Sequence, residues 1–351
     1  MKYKIWLTSL SLDNSIKLKL LLRYKKEQEI YNNFEDIIRK EISLYLKFKD
    51  INNGNLLNQA EKVCEWMKKN NIGFICISDN NYPLELRFID NAPYGLFYKG
   101  DLNVLNNRKV AIVGSRKCTN YGIQVTKMLT NELNSFNITI ISGGAKGIDT
   151  AAHAQSLESS GATVVVLGCG IDIVYPAQNK RLFENVANHG LVLSEFMPGV
   201  KPYSYNFPTR NRIISGLSEL ILLTEATVKS GSLITANFAL AQGKDVMAVP
   251  GSIFSKESEG CNNLIYDGAH VLTSLEDLRL ILKLDLNKKY KTGNTINQKK
   301  ILEFISNEPK HIDEIFKNTL IERESLFNTL FEMQKANQII SLPGSYYAKI
   351  I

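Results

Sequence analysis

Between residues 109 and 284, short apolar runs recur at 110–113, 138–141, 164–167, 191–193, 220–223 and 246–249. They are rich in Val, Ile and Leu, show little polar alternation, and are separated by amphipathic stretches of helical length. Strands buried on both faces read this way, so the pattern predicts a parallel sheet covered by helices. The expected fold class is α/β: an extended Rossmann-like, doubly wound, mostly parallel sheet. Ligands of such a sheet sit at the carboxyl ends of its strands.

The flanks read differently. Before residue 70, Ile16, Leu18, Leu20, Leu21 and Leu22, then Ile30, Phe34, Ile37 and Ile38, recur at helical spacing. Asn52-Asn53-Gly54-Asn55 breaks that run, a helix resumes over 56–69, and Gly73 is a stop signal. A tighter unit opens with Asn80-Asn81-Tyr82-Pro83 and Pro93-Tyr94-Gly95. At the other end, helices are predicted at 301–305, 312–316 and 324–336, with a β-ribbon over 339–347, which is the winged-helix plan. The division expected is a helical domain over 1–75, the Rossmann-like domain over 76–286, a polar linker at 287–294 and a winged helix over 295–351.

Composition narrows the class. The hydrophobic fraction of 44% and charged fraction of 22% are ordinary for a globular protein, and 351 residues suffice for two or three domains. No stretch approaches the roughly 18 apolar residues of a membrane span. Asp13 and Asn14 cut short the apolar run near the N-terminus, so no signal peptide is expected. Five scattered cysteines, never in a CxxC pair, fit a reducing cytoplasm and argue against a structural zinc site. The net charge is +7. Residues 1–75 hold 14 Lys+Arg against 9 Asp+Glu (+5), residues 295–351 hold 7 against 7, and the middle keeps +2. Such a balance is compatible with a polyanionic partner.

Candidate chemistry gathers at strand ends. The first run ends in Gly114-Ser115-Arg116, with Thr119 placed to cap the next helix. Small residues there turn backbone N–H groups toward an anion, and the arginine adds a bidentate fork. The second runs into Ser142-Gly143-Gly144-Ala145-Lys146-Gly147-Ile148-Asp149, which matches neither a Walker A loop nor a dinucleotide fingerprint. Its glycines allow close backbone approach and Lys146 supplies a point charge, while Asp149 reads as a helix N-terminal residue. The third ends in Gly168-Cys169-Gly170, where Cys169 lacks a histidine partner and reads as a buried thiol. A Phe207-Pro208 turn then leads into Thr209-Arg210-Asn211-Arg212 before the strand at 220. Ser230-Gly231-Ser232 opens another helix, with Thr235 one turn on. No paired carboxylates, HExxH or nucleophile–base pair accompany these groups, so neither a metal nor a cofactor is expected. An electropositive rim without a catalytic base suits binding.

Together these blocks resemble the DNA-processing protein A family, also called Smf, recombination mediators of natural transformation. The matching residues are Gly114-Ser115-Arg116, 142–149, 168–172 with Tyr175-Pro176, 207–218, 229–236 and Val249-Pro250-Gly251, joined upstream by Tyr82-Pro83 and 97–101. The resemblance implies a Rossmann-like domain that binds single-stranded DNA without hydrolysis, forms a homodimer and loads RecA recombinase. It implies DNA contact by Arg116 and Lys146, and a pocket at Asn211, Arg212 and Ser230–Ser232. The family's N-terminal domain resembles sterile-alpha-motif or helix-hairpin-helix modules, although residues 1–50 lack a Gly-x-Gly hairpin. The winged helix matches a domain that some members carry.

Two rivals remain. A nucleotide-processing enzyme of the lysine-decarboxylase-like phosphoribohydrolase type needs a catalytic glutamate, for which Glu195 and Glu225 stand near strand ends. A duplex-reading regulator needs basic residues on its winged helix, and 295–351 has zero net charge with Arg323 its lone arginine.

Overall fold

The computed structural model describes residues 1–40, 52–284, 296–306, 308–335 and 338–350. They form two compact units, Met1–Leu272 and Thr273–Ile351. The predicted linker at 287–294 lies outside the described residues.

The first unit opens with helices α1 (Lys2–Ser9), α2 (Asn14–Tyr24), α3 (Glu27–Asn32), α4 (Phe34–Lys40) and α5 (Asn53–Lys69). They close around Trp6, which is fully buried and packs edge-on against Tyr31 and Phe34. Its indole N–H donates to Asn53 Oδ1 at 2.7 Å. Asn52 caps α5 by accepting from the Asn55 N–H at 3.0 Å, so the predicted break at 52–55 is a helix start. Gly73, expected as a stop, begins strand β1 (Gly73–Cys76), which pairs antiparallel with β2 (Gly95–Gly100). A Cβ at Gly73 would overlap the Tyr98 ring, which lies over the bare glycine. Phe74 and Phe97 of the two strands share one apolar cluster with Trp6, Ile30 and Phe34, seating the helices on the sheet's edge.

The parallel part runs β3 (Lys109–Val113), α6 (Asn120–Ser135), β4 (Thr139–Ser142), α7 (Ile148–Glu158), β5 (Thr163–Leu167), α8 (Lys180–His189) and β6 (Leu191–Ser194). It continues with α9 (Asn206–Leu217), β7 (Leu220–Leu223), α10 (Ser232–Ala241), β8 (Asp245–Ala248), α11 (Lys256–Tyr266) and β9 (His270–Val271). The nine strands are ordered β1-β2-β6-β5-β4-β3-β7-β8-β9, parallel from β6 onward. Successive residues of one strand point to opposite faces. Val164 and Val166 therefore pack with Ile213, Ile214 and Ala236 of α9 and α10, while Val165 and Leu167 pack with Phe183 and Val186 of α8. Both faces are covered, which is why these strands carry no polar alternation. The mostly parallel α/β sheet is as expected. Strands β1, β2 and β9 are additions.

The second unit begins with α12 (Leu275–Ile281), opened by a Ser274–Asp277 capping box. Then follow α13 (Ile296–Phe304), β10 (Lys310–His311), α14 (Ile312–Thr319), α15 (Arg323–Lys335), β11 (Ile339–Leu342) and β12 (Tyr346–Lys349). Ile301, Ile315, Leu326, Leu330 and Met333 form its core. The predicted ribbon gains β10 as a third strand, in the order β10-β12-β11. Among the described residues, no helix is long and apolar enough to cross a membrane.

Candidate functional site

From β3 to β6 the chain steps outward one strand at a time; it then returns to place β7 on the other side of β3. Strand order reverses between β3 and β7, and open α/β sheets form their ligand crevice outside such a switch point. A cleft of about 670 Å³ lies there, walled by Ser115, Arg116, Lys117, Tyr175, Phe207, Asn211 and the Lys229–Ser232 segment. Glu225 joins its two sides. The Glu225 carbonyl accepts from the Ser115 N–H at 2.7 Å, and its carboxylate accepts from the Thr119 N–H at 2.7 Å and Thr119 Oγ1 at 2.5 Å. Thr119 in turn caps α6, as predicted, by accepting from the Gly122 N–H. A Cβ at Gly122 would stand 2.4 Å from the Glu225 carboxylate, so the helix has room for that acid only where it has no side chain.

The glycine loop after β4 folds around Asp149. Its carboxylate accepts from the N–H groups of Gly143 and Ala145, each at 3.2 Å, so these two amides are taken by the fold's own acid. Burial raises the Asp149 pKa, opposed by the Arg210 charge and by those amides. Asp149 lies in the first turn of α7, as expected, and also holds the loop. Gly147 has φ +78°, and a Cβ there would lie 2.4 Å from the Ser115 carbonyl oxygen. The two loops therefore abut backbone to backbone, setting the exposed Arg116 and Lys146 on neighbouring loops.

The predicted turn at Phe207-Pro208 is instead the first turn of α9, where a proline costs no intrahelical hydrogen bond. Arg210 is buried: Nη1 donates to the carbonyls of Gly143, at 2.7 Å, and Val166, and Nε donates to Asn211 Oδ1. Burial lowers its pKa to about 10, leaving it cationic at neutral pH. The missing side chain of Gly143 makes room for this guanidinium, since a Cβ would stand 2.6 Å from it. Asn211 Nδ2 donates to the Gly231 carbonyl at 3.2 Å, tying α9 to the loop before α10. Arg212 is buried in an ion pair with Glu195 at 2.7 Å. On the open side, the Phe207 ring has the Arg116 guanidinium 5.7 Å from its centroid, the Arg210 guanidinium at 5.9 Å and the Tyr175 ring at 5.5 Å.

A model of the family described as DNA recombination-mediator protein A matches residues 73–283. The chain belongs to that family. DNA processing protein DprA of Streptococcus pneumoniae is 47% identical over 202 residues, covering 58% of this chain and 71% of that one. Protein Smf of Synechocystis is 35% identical over 86% of both chains. The X-ray structure of the S. pneumoniae DprA covers 80% of this chain and 97% of its own at 38% identity and a TM-score of 0.69. DNA processing protein A from Helicobacter pylori, described for its single-stranded DNA binding mode, covers 60% and 96% at 31% identity and a TM-score of 0.56.

In this DprA/Smf chain, the residues singled out in the sequence divide by exposure. Arg116, Lys146 and Gly231 are exposed, and Ser230 is half-buried with its hydroxyl 2.7 Å from that of Ser232. Ser142, Gly143, Gly144, Arg210, Asn211, Arg212, Ser232 and Thr235 are buried. Ser142 Oγ donates to the Ile112 carbonyl at 2.6 Å, which ties β4 to β3. Gly114 sits beside Ile148 and the Glu225 carbonyl, with no space for a side chain. Arg210 and Arg212, counted in the sequence among the cations of the rim, donate to groups of the fold. Cys169 is the buried thiol expected, its pKa raised by burial to about 11. Reading charges and glycines alone missed Tyr175 and Lys117 as cleft residues, along with the role of the Phe207 ring. An aromatic three residues before an arginine on one helix was the available signal, because guanidinium groups settle over ring faces.

Proposed function

We propose that this protein binds single-stranded DNA at the cleft between β3 and β7 and performs no bond-breaking chemistry. One observation carries the reading. Arg116 and Lys146 stand exposed on abutting loops, with no ion pair to any described residue, while both candidate catalytic acids are engaged in the fold. Glu195 pairs with Arg212 and Glu225 holds the start of α6. Phe207 backs the Arg116 guanidinium, leaving its N–H edges for phosphate oxygens. Ser230-Gly231-Ser232 adds small residues at the N-terminus of α10, a second seat for anionic oxygen. Groups of this kind see phosphate rather than base edges, so binding has little base preference.

Membership of the recombination-mediator family supports the reading, as does the single-strand binding described for the H. pylori relative. By the same family reading, the protein acts in the cytoplasm as a homodimer and delivers the strand to RecA recombinase during DNA uptake and recombination. The winged helix, neutral over residues 295–351, serves as a partner-docking module. The deciding experiment is a filter-binding titration with single-stranded and duplex DNA of the same sequence across a range of salt. Tighter single-strand binding that weakens with salt is expected. Equal affinity for both forms sinks the proposal, and turnover of an AMP-type substrate favours the nucleotide-processing alternative.

A further inference from the structure

Asn211 and Arg212 are adjacent on α9, and their side chains leave it in different directions. Successive residues of a helix are about 100° apart. Asn211 reaches across the cleft to the Gly231 carbonyl, and Arg212 reaches toward the N-terminal helices. The Arg212 side chain is 4% exposed. Its Nη1 and Nη2 grip both carboxylate oxygens of Glu195, at 2.9 and 2.7 Å. Nε donates to the Asn91 carbonyl at 3.0 Å and Nη1 also to the Thr209 carbonyl at 2.9 Å. Four of the five N–H donors of a guanidinium are thereby engaged within the fold. Glu195 Oε1 accepts a further hydrogen bond, at 2.8 Å, from Nδ2 of Asn14, the first residue of α2.

We propose that Arg212 is a positioning residue. With Glu195 and Asn14 it forms a strut through which the N-terminal helices set the position of α9, and with it the Phe207 and Asn211 wall of the cleft. This assignment rests on the single-strand reading above. It also has a consequence of opposite sign to the phosphate-contact alternative. If Arg212 grips phosphate, removing the negative charge of Glu195 strengthens DNA binding. If Arg212 positions α9, removing that charge weakens it, because a buried guanidinium loses its partner.

The test measures oligothymidylate affinity against salt for the full-length wild type, Arg212→Gln, Glu195→Gln, their double variant and Asn14→Ala. Thermal melting reports folding in each. Amide hydrogen exchange over residues 210–217 compares Asn14→Ala with wild type in the absence of DNA. Each single variant is expected to lose affinity by about fivefold. The salt slope should stay unchanged, and the double variant should lose no more than the worse single one. In Asn14→Ala, a mild change on the far module, exchange in α9 should quicken while the sheet strands keep their protection. Tighter binding by Glu195→Gln overturns the strut. So does a slope reduced by about one in Arg212→Gln, or unchanged exchange in Asn14→Ala. Failure of the wild type to bind oligothymidylate sinks the single-strand reading instead, and the exchange comparison still decides the strut.

Discussion

Gly147 and Ser115 meet backbone to backbone: the Ser115 carbonyl oxygen lies where a Cβ at position 147 would come within 2.4 Å, and it accepts from the Ile148 N–H at 3.3 Å. Gly147→Ala therefore adds a clash to a left-handed backbone of φ +78°. The expected cost is about 1–3 kcal/mol of stability. DNA affinity should fall with it, because the loops bearing Arg116 and Lys146 are pushed apart. Thermal melting and oligonucleotide titration check both parts; a variant as stable and as tight as wild type removes the contact from the account.

Arg116→Ala and Lys146→Ala should each weaken single-strand binding roughly uniformly across sequences. Each should lower the log–log salt slope by about one. Both side chains are exposed, so melting temperatures should hold. The double variant is expected to lose much more than either single one. If both variants fold and bind like wild type, the phosphate seat is at neither loop.

His153 carries a pH signature. Thr163 Oγ1 donates to the Ile140 carbonyl, so the His153 Nδ1–H donates to Thr163, and Nε2 is buried without a partner among the described residues. Burial lowers its pKa from 6.5 to about 3. Above 6.5 the ring is neutral in folded and unfolded chains alike. As pH falls below that value the unfolded chain takes up a proton that the folded one refuses, until about pH 3. This group alone should therefore remove about 1.4 kcal/mol of stability per pH unit through that window. Urea midpoints at pH 7 and pH 5 for wild type and His153→Gln test it, and an identical pH dependence in the two counts against it.

Deleting residues from about 290 onward should leave single-strand affinity nearly intact. The segment from 295 brings 7 basic and 7 acidic residues, hence no net attraction for a polyanion. A truncated chain that loses most of its affinity shows that the winged helix touches DNA.

The sheet was readable because strands buried on both faces have few polar positions, as at 164–167 and 220–223. The antiparallel strands β1 and β2 were not. Gly73–Cys76 and Gly95–Gly100 lie among Asn, Pro and Gly, and their pairing sets a glycine against a tyrosine ring distant in sequence. The rim of the site was legible through its glycines and cations. The sequence did not tell which cations face outward. Arg116 and Arg210 look alike as residue types, yet one is exposed and the other lies beneath Gly143, because α9 begins before Phe207 and turns Arg210 inward. Asp149 likewise looked like a helix start and proved also to fold the glycine loop around its carboxylate.

The chain's two tryptophans, Trp6 and Trp66, both lie in the N-terminal helices α1 and α5, and the rings along the cleft are Phe207 and Tyr175. The molecule thus has its optical reporters in one module and its proposed ligand in another. Emission excited at the red edge of the ultraviolet band, where tyrosine is silent, watches only the helices around Trp6. A ligand held at the β3/β7 cleft alters that light only by shifting those helices, so a spectral change on adding oligonucleotide measures movement transmitted between the modules rather than contact with the strand.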